Sequence, residues 1–426
     1  MTKKRSGVKD NYEIPFNDLP ILPPAKEFIE SVAILKQLVK SSVALAELKG
    51  IIHILPNPEI LLNAVILKEA RASSEIENVI TTQDKLYQAL SAKGDQIDTS
   101  TKEVLRYREA MLFGFRSIQK KNILTINTII EIQQILEENN VGIRKLQGTA
   151  LRNSVTGKVI YTPPDQTDVI NSLLSNMEKF INLDEDEIPH LIKMAIQHYQ
   201  FESIHPFYDG NGRTGRILNI LYLIMNGLLE QPTLFLSGYI IVNKSEYYRL
   251  LQEVRTNNNW EDWILYILKG VEITAKETIN QVTEINALFE QTKEKARKEI
   301  PKIYSKELIE LLFEHPYSKS EYLENRLSIS RITAAKYLKE LENIGILQSK
   351  KVWKETLYIN TALFEQLKKY FHPESISKII PENVQDKFQL DHPSIYSGII
   401  ASGDRFFDSD SEKNNLSMRL PGVLCV

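Results

Sequence analysis

H-P-F-Y-D-G-N-G-R-T-G-R, running from His205 to Arg216, packs an imidazole, a carboxylate, three glycines and two arginines into twelve residues. The segment before it, A-I-Q-H-Y-Q-F-E-S-I, and the one behind it, I-L-N-I-L-Y-L-I-M, both read as buried helices. The run is therefore a loop joining two core helices. Gly210, Asn211, Gly212 and Gly215 let the backbone adopt positive φ and approach a ligand closely, and the start of the following helix offers free N–H groups and a positive dipole end. That combination is a phosphate cradle. Arg213 and Arg216 lie three residues apart on the first turn, so both guanidinium groups can reach one polyphosphate through forked hydrogen bonds. Asp209 would repel phosphate unless a divalent cation lay between them, which points to Mg²⁺. His205 is the group that titrates near neutrality and can take a proton from an attacking hydroxyl.

The spacing resembles the signature of the Fic family, H-x-F-x-(D/E)-G-N-G-R-x-x-R. Every specified position is present: His205, Phe207, Asp209, Gly210, Asn211, Gly212, Arg213 and Arg216. The resemblance implies a mainly α Fic fold carrying a β-hairpin flap. It also implies transfer of AMP from ATP to a Ser, Thr or Tyr hydroxyl of a protein, with release of pyrophosphate. His205 would be the general base, Asp209 the Mg²⁺ ligand and the Gly210–Gly212 backbone the anion hole. Arg213 and Arg216 would hold the β- and γ-phosphates, and the ATP site would extend over Thr214 and Gly215. No Walker-type G-x-x-x-x-G-K-(S/T) occurs, which leaves a P-loop NTPase without support.

Upstream, E-A-R-A-S-S-E-I-E-N-V-I (69–80) lies in a helical setting. Ser73, Glu77 and Asn78 fit the family's (S/T)-x-x-x-E-(G/N) inhibitory motif, and Ser73 and Glu77 share a helix face. The resemblance implies that Glu77 pairs chiefly with Arg216 and takes the place of the terminal phosphate, so that the enzyme rests inhibited. Removal of AMP stays open as an alternative, because Glu77 could also orient a water.

Over 142–165, β-branched residues, glycines and a Pro-Pro stop suggest a β-hairpin. In Fic proteins the strand before such a Pro-Pro is a flap that holds the target by strand addition. Lys158, Val159, Ile160, Tyr161 and Thr162 take that role by resemblance. Tyr247 and Tyr248 are placed like the aromatic wall of the family's adenine pocket, although Arg255 stands a turn later where a small polar residue is common.

A chain of 426 residues, 42% apolar and 25% charged, is long enough for two or three domains. Its net charge of −3 exerts no global pull toward nucleic acid or membrane. Cys425 alone excludes an internal disulfide framework or a cysteine zinc site. With no apolar leader and no long apolar run, a cytoplasmic protein without membrane contact is expected. The domain expectation is an N-terminal extension with the inhibitory helix (1–110), a catalytic core (111–272), a helical connector (273–301), a winged helix-turn-helix (302–371) and a loosely ordered tail (372–426). A Pro-rich arm before residue 25 should wrap the body through Phe16, Leu19 and Leu22. The winged segment places Ser330 to Thr333 at the start of a recognition helix and Lys350, Lys351 and Lys354 on the wing, which admits DNA or protein docking. The rival function is a transcription regulator that uses the nucleotide site as a sensor. Related proteins form dimers, so a homodimer is expected.

Overall fold

A computed structural model describes residues 12–91, 97–152, 157–183, 187–353, 355–368, 399–401 and 423–425. Its N-terminal part comprises α1 (Lys26–Ile29), α2 (Val32–Ile51), α3 (Glu59–Ile76), α4 (Gln83–Ser91) and α5 (Thr99–Lys121). Helix starts follow local chemistry: Ser31 Oγ accepts from Ile34 N at 3.1 Å to open α2, and Asp98 accepts from Thr101 N at 2.9 Å to open α5. Next come α6 (Ile126–Glu137), the hairpin β1 (Leu151–Arg152) and β2 (Val159–Tyr161), α7 (Thr167–Asn182), α8 (His190–Ile204) and α9 (Asn211–Met225).

Helices α8 and α9 are buried on nearly every face, so they form the centre of the molecule. Around them pack α2, α3, α5, α6 and α7. The arm wraps as expected: Leu19 and Leu22 are buried, Asn176 clamps the Leu22 amide and carbonyl at 2.8 and 3.1 Å, and Gln200 donates to Pro20 O at 2.9 Å.

Beyond α10 (Leu236–Val242) and α11 (Lys244–Asn257), the chain enters α12, one helix of 40 residues from Trp260 to Glu299. The expected boundary at residue 272 is thus not a break in the chain. The stretch around it holds no proline or cap, and Val282, Ile285 and Phe289 continue the buried face past it. The segment expected to be a helical connector is therefore core on one side, with the Phe289 ring against Phe313 at 5.1 Å.

The C-terminal domain runs α13 (Lys306–Glu314), β3 (Tyr317–Ser318), α14 (Ser320–Leu327), α15 (Arg331–Asn343), β4 (Gln348–Val352), β5 (Glu355–Ile359) and α16 (Thr361–Lys368). Its sheet has three strands in the order β3-β5-β4 with antiparallel pairs, one strand more than the two-stranded wing expected. The domain docks on α4. Tyr317 stacks on Tyr87 at 5.7 Å and hydrogen-bonds Asp84, while the wing residue Lys350 reaches the same Asp84 at 3.1 Å. Lys351 is exposed, and Lys354 lies outside the described residues. Most of the tail also lies outside them; its described parts, β6 (Ile399–Ala401) and β7 (Val423–Cys425), pair in parallel.

Candidate active site

The loop from His205 to Gly210 is held from several directions. His205 caps α8 at φ 50°, and its amide donates to Phe201 O at 3.0 Å. A non-glycine residue in the left-handed region costs on the order of 1 kcal/mol, so the surroundings must fix it. Arg144, fully buried, does so: Nε donates to His205 O at 2.7 Å, Nη2 to Ile204 O at 3.2 Å and to Pro164 O, and its amide to Pro206 O at 2.9 Å. One guanidinium thus joins the end of α8, the loop and the Pro-Pro stop of the hairpin. Asn211 closes the loop, accepting from Phe207 N at 2.8 Å and donating to Phe207 O at 2.9 Å. Gly210 sits at φ 79°, and a Cβ there would crowd Glu137 and Leu136.

The two arginines of α9 have different nearest carboxylates, Glu77 for Arg216 and Glu137 for Arg213. Arg216 Nε donates to Ser73 Oγ at 2.7 Å, and Nη2 donates to Ser73 O at 2.9 Å and to Glu77 Oε1 at 2.7 Å. Burial alone would lower the Arg216 pKa, but the adjacent Glu77 carboxylate outweighs it and holds the guanidinium charged. Glu77 caps the C-terminus of α3, and Asn78 takes φ 62°, which explains why the motif ends in glycine or asparagine. That turn sets the carboxylate over the glycine loop, where a methyl group on Gly212 would overlap Glu77 Oε1. The position next to the cradle backbone is therefore filled by an acid of this chain.

Arg213 instead pairs with Glu137 at 2.8 Å and Glu103 at 3.4 Å, with Asp209 at 3.6 Å. Here α5 and α6 supply the carboxylates that face Arg213. Burial would lower the Arg213 pKa, and Glu137 with its acidic neighbours raises it overall. Asp209 keeps a third of its side-chain surface and accepts from Gly210 N at 2.6 Å. Among the described residues no group of three or more His, Cys, Asp or Glu could hold a metal. Asp209 is the carboxylate that would hold a magnesium ion, a cation that binds through one or two carboxylates.

Behind Arg216 lies a second layer. Glu69, fully buried on α3, accepts from Ser237 N at 2.9 Å and from the Ser237 hydroxyl, and burial raises its pKa to about 7. It ties the inhibitory helix to the start of α10. His198 meets the Tyr247 hydroxyl at 2.9 Å, and burial followed by the Arg216 charge lowers its pKa to about 3. Tyr247 is enclosed by His198, Trp263, Tyr266 and Tyr248. Only Tyr248, half-buried, keeps surface that a ligand could meet.

On the hairpin, Val159 and Tyr161 point inward, while Lys158 is exposed and Ile160 half-buried. The Tyr161 hydroxyl donates to Ser203 O at 2.7 Å, and Arg255 stacks on its ring at 3.8 Å. Arg255 thus braces the hairpin, which accounts for a large cation at that position. At the end of β2, Thr162 O accepts from Phe16 N at 3.0 Å, and its hydroxyl donates to Tyr12 O at 2.6 Å. The N-terminal arm therefore already sits against the hairpin. Arg144, Glu103, Glu137 and Glu69 were not legible as site residues. The nearest signal was the Glu69 carboxylate one helical turn before Ser73.

Three family models match the chain: Fic/DOC family N-terminal over residues 35–116, Fic/DOC family over 123–223, and the C-terminal domain of SoFic-like protein adenylyltransferase over 288–363. Between them these ranges take in more than half of the sequence. A curated relative, protein adenylyltransferase Fic of Aedes aegypti, is 30% identical over 178 residues, 40% of this chain and 32% of the relative. Its counterpart in Drosophila ananassae is 29% identical over 177 residues, with the same shares. The chain thus matches about a third of the length of these relatives. A solved Fic family protein from Desulfovibrio desulfuricans is 16% identical at a TM-score of 0.49, covering 78% of this chain and 96% of that one.

Proposed function

Because the chain belongs to the Fic/DOC family, we propose that it is a protein adenylyltransferase held in an inhibited state by its own Glu77. The observation that carries this reading is the Glu77 carboxylate on Arg216 at 2.7 Å, set over the Gly212 turn. An anion already occupies a site whose backbone and arginine suit a phosphate.

In the reaction, a target hydroxyl adds to the α-phosphorus of ATP, the bond to the β-phosphate oxygen breaks, and pyrophosphate leaves. His205 takes the hydroxyl proton, from a backbone that Arg144 and Asn211 hold in place. The Gly210–Gly212 amides receive the developing charge, and Arg216, once released from Glu77, binds the terminal phosphates. Arg213 lies beside Asp209, the carboxylate that would hold a magnesium ion, whose charge would offset that of the phosphates. Tyr248 lines the base side. The target lies along Lys158 to Thr162, and the C-terminal domain, docked through Asp84, serves as a docking module.

The test is transfer of label from α-labelled ATP with Mg²⁺ to the protein or to a host lysate. Glu77→Gly should raise the label and His205→Ala abolish it. Label from γ-labelled ATP would make the protein a kinase and end this reading.

A further inference from the structure

Helix α4 follows the inhibitory turn directly: α3 ends at Ile76, Glu77 caps it, Asn78 turns the chain, and α4 opens at Gln83. The C-terminal domain grips this short helix. Tyr87 of α4, Tyr317 of β3 and Phe364 of α16 close into one buried aromatic cluster. The two tyrosine rings stack at 5.7 Å, and Phe364 meets them edge-on at 5.8 and 5.3 Å. The Tyr317 hydroxyl and Lys350 Nζ, the latter at 3.1 Å, both donate to the Asp84 carboxylate from strands on either side of β5. Ser91, at the end of α4, donates through Oγ to Tyr317 O at 3.1 Å. The same domain also holds the start of α3. Asn57 Oδ1 accepts from Glu59 N at 3.0 Å, and the Asn57 amide group donates to Glu314 of α13. Two attachments to the C-terminal domain therefore bracket the inhibitory turn along the chain.

We propose that the C-terminal domain fastens the inhibitory motif: its grip on α4 through Tyr87 and Asp84 keeps the Glu77 carboxylate on Arg216, and loosening that grip gives a nucleotide access to the arginine. The inference rests on the reading of Glu77 as the competitor for phosphate. The parts of the contact are unequal. Asp84 and Lys350 are 34% and 47% exposed, and such a pair contributes little. Stacked and edge-on rings shut away from water contribute more, so the aromatic cluster carries the grip. The catalytic core holds the turn as well: Lys244 Nζ donates to Ile76 O at 2.5 Å, and the Thr81 and Thr101 hydroxyls meet at 2.7 Å. The C-terminal domain adds to those bonds. Its loss should shift Glu77 toward the displaced position without abolishing inhibition. Tyr87, Asp84 and Tyr317 are thus positioning residues that act through Glu77.

Titration calorimetry of the full chain with a non-hydrolysable ATP analogue and Mg²⁺ tests this. Tyr87→Ala should tighten binding about five-fold, the lower end of an ordinary coupling between sites. Tyr317→Phe keeps both rings and removes one hydroxyl; it should tighten binding about three-fold, and it carries the test should Tyr87→Ala unfold. In the Glu77→Gly background neither substitution should change the affinity, because the group they act through is gone. Amide exchange should report the same loosening. The Glu77 and Val79 amides donate to Ser74 O at 3.0 and 2.9 Å, and both should exchange faster in the two variants. If Glu77→Gly tightens binding while Tyr87→Ala and Tyr317→Phe stay at the wild-type value, the fastener is overturned and the phosphate-site reading stands. An equal gain with and without Glu77 would also overturn it, since the effect would then bypass the inhibitory carboxylate. Failure of Glu77→Gly itself to tighten binding would remove the phosphate-site reading and the fastener together.

Discussion

Glu77 Oε1 lies 2.7 Å from Arg216 Nη2, and the same guanidinium donates to both the hydroxyl and the carbonyl oxygen of Ser73. Both ends of the inhibitory motif therefore close on a single arginine. The side chains are 13% and 2% exposed, so the pair sits out of water, where a charge-assisted hydrogen bond is strong and an unpaired charge costly.

A nucleotide must displace Glu77 to reach Arg216. Glu77→Gly removes that competitor and should tighten binding of a non-hydrolysable ATP analogue about ten- to hundred-fold, the equivalent of one charged hydrogen bond. Glu77→Gln, which keeps the shape and loses the charge, should fall between variant and wild type. Titration calorimetry reads both; equal affinities in all three proteins would remove Glu77 from the phosphate site.

Arg213 has its nearest counter-charge in Glu137, with Glu103 and Asp209 further off. Glu137→Gln leaves a buried guanidinium short of its nearest counter-charge and should destabilise the fold by about 3–5 kcal/mol. Adding Arg213→Met to Glu137→Met should recover much of that loss, because the orphaned charge is gone. Denaturant unfolding of the single and paired variants measures the coupling.

These two arginines mark where sequence alone suffices and where it stops. The cradle was legible because its chemistry is contiguous: positive φ at Gly210, the Asn211 clamp and His205 all lie within one short run. Ser73 and Glu77 were legible through their resemblance to the family's inhibitory motif, found upstream of a complete core signature. Glu103, Glu137 and Arg144 arrive from 61 to 110 residues away, on segments whose local pattern is that of ordinary amphipathic helix or loop. Nothing local distinguishes a carboxylate that will meet Arg213 from one that will meet water. The continuity of α12 was hidden for a related reason: it buries a face against α2 near Leu268 and Glu272 and, further along, sets Phe289 on Phe313 of α13, and no cap or breaker marks the change of neighbour.

Glu69 gives the protein a pH signature. Burial keeps its proton on up to about pH 7, whereas in the unfolded chain the group ionises near 4.5. Between those values the native state holds the extra proton, so this group's contribution to stability falls as pH rises. Glu69→Gln cannot lose a proton. The stability of the variant relative to wild type should therefore improve from pH 4.5 to 7, by up to about 3 kcal/mol. Urea unfolding across that range reads the slope, and a flat difference would place the ionisation of Glu69 elsewhere.

The N-terminal arm makes a prediction about the target. Phe16 N donates to Thr162 O at 3.0 Å and Tyr12 O accepts from the Thr162 hydroxyl at 2.6 Å, so two polar groups at the end of β2 are engaged by the chain itself. An extended target segment added to this strand would need the same carbonyl. Deleting residues 1–17 leaves Leu19 and Leu22 to anchor what remains of the arm and opens the strand end. In the Glu77→Gly background, this deletion should lower the KM for a protein target several-fold, with kcat and the ATP dependence unchanged. The gain should be of the size of one or two hydrogen bonds, about 1–2 kcal/mol. An unchanged KM would mean that the target approaches His205 without using the Thr162 end of the strand.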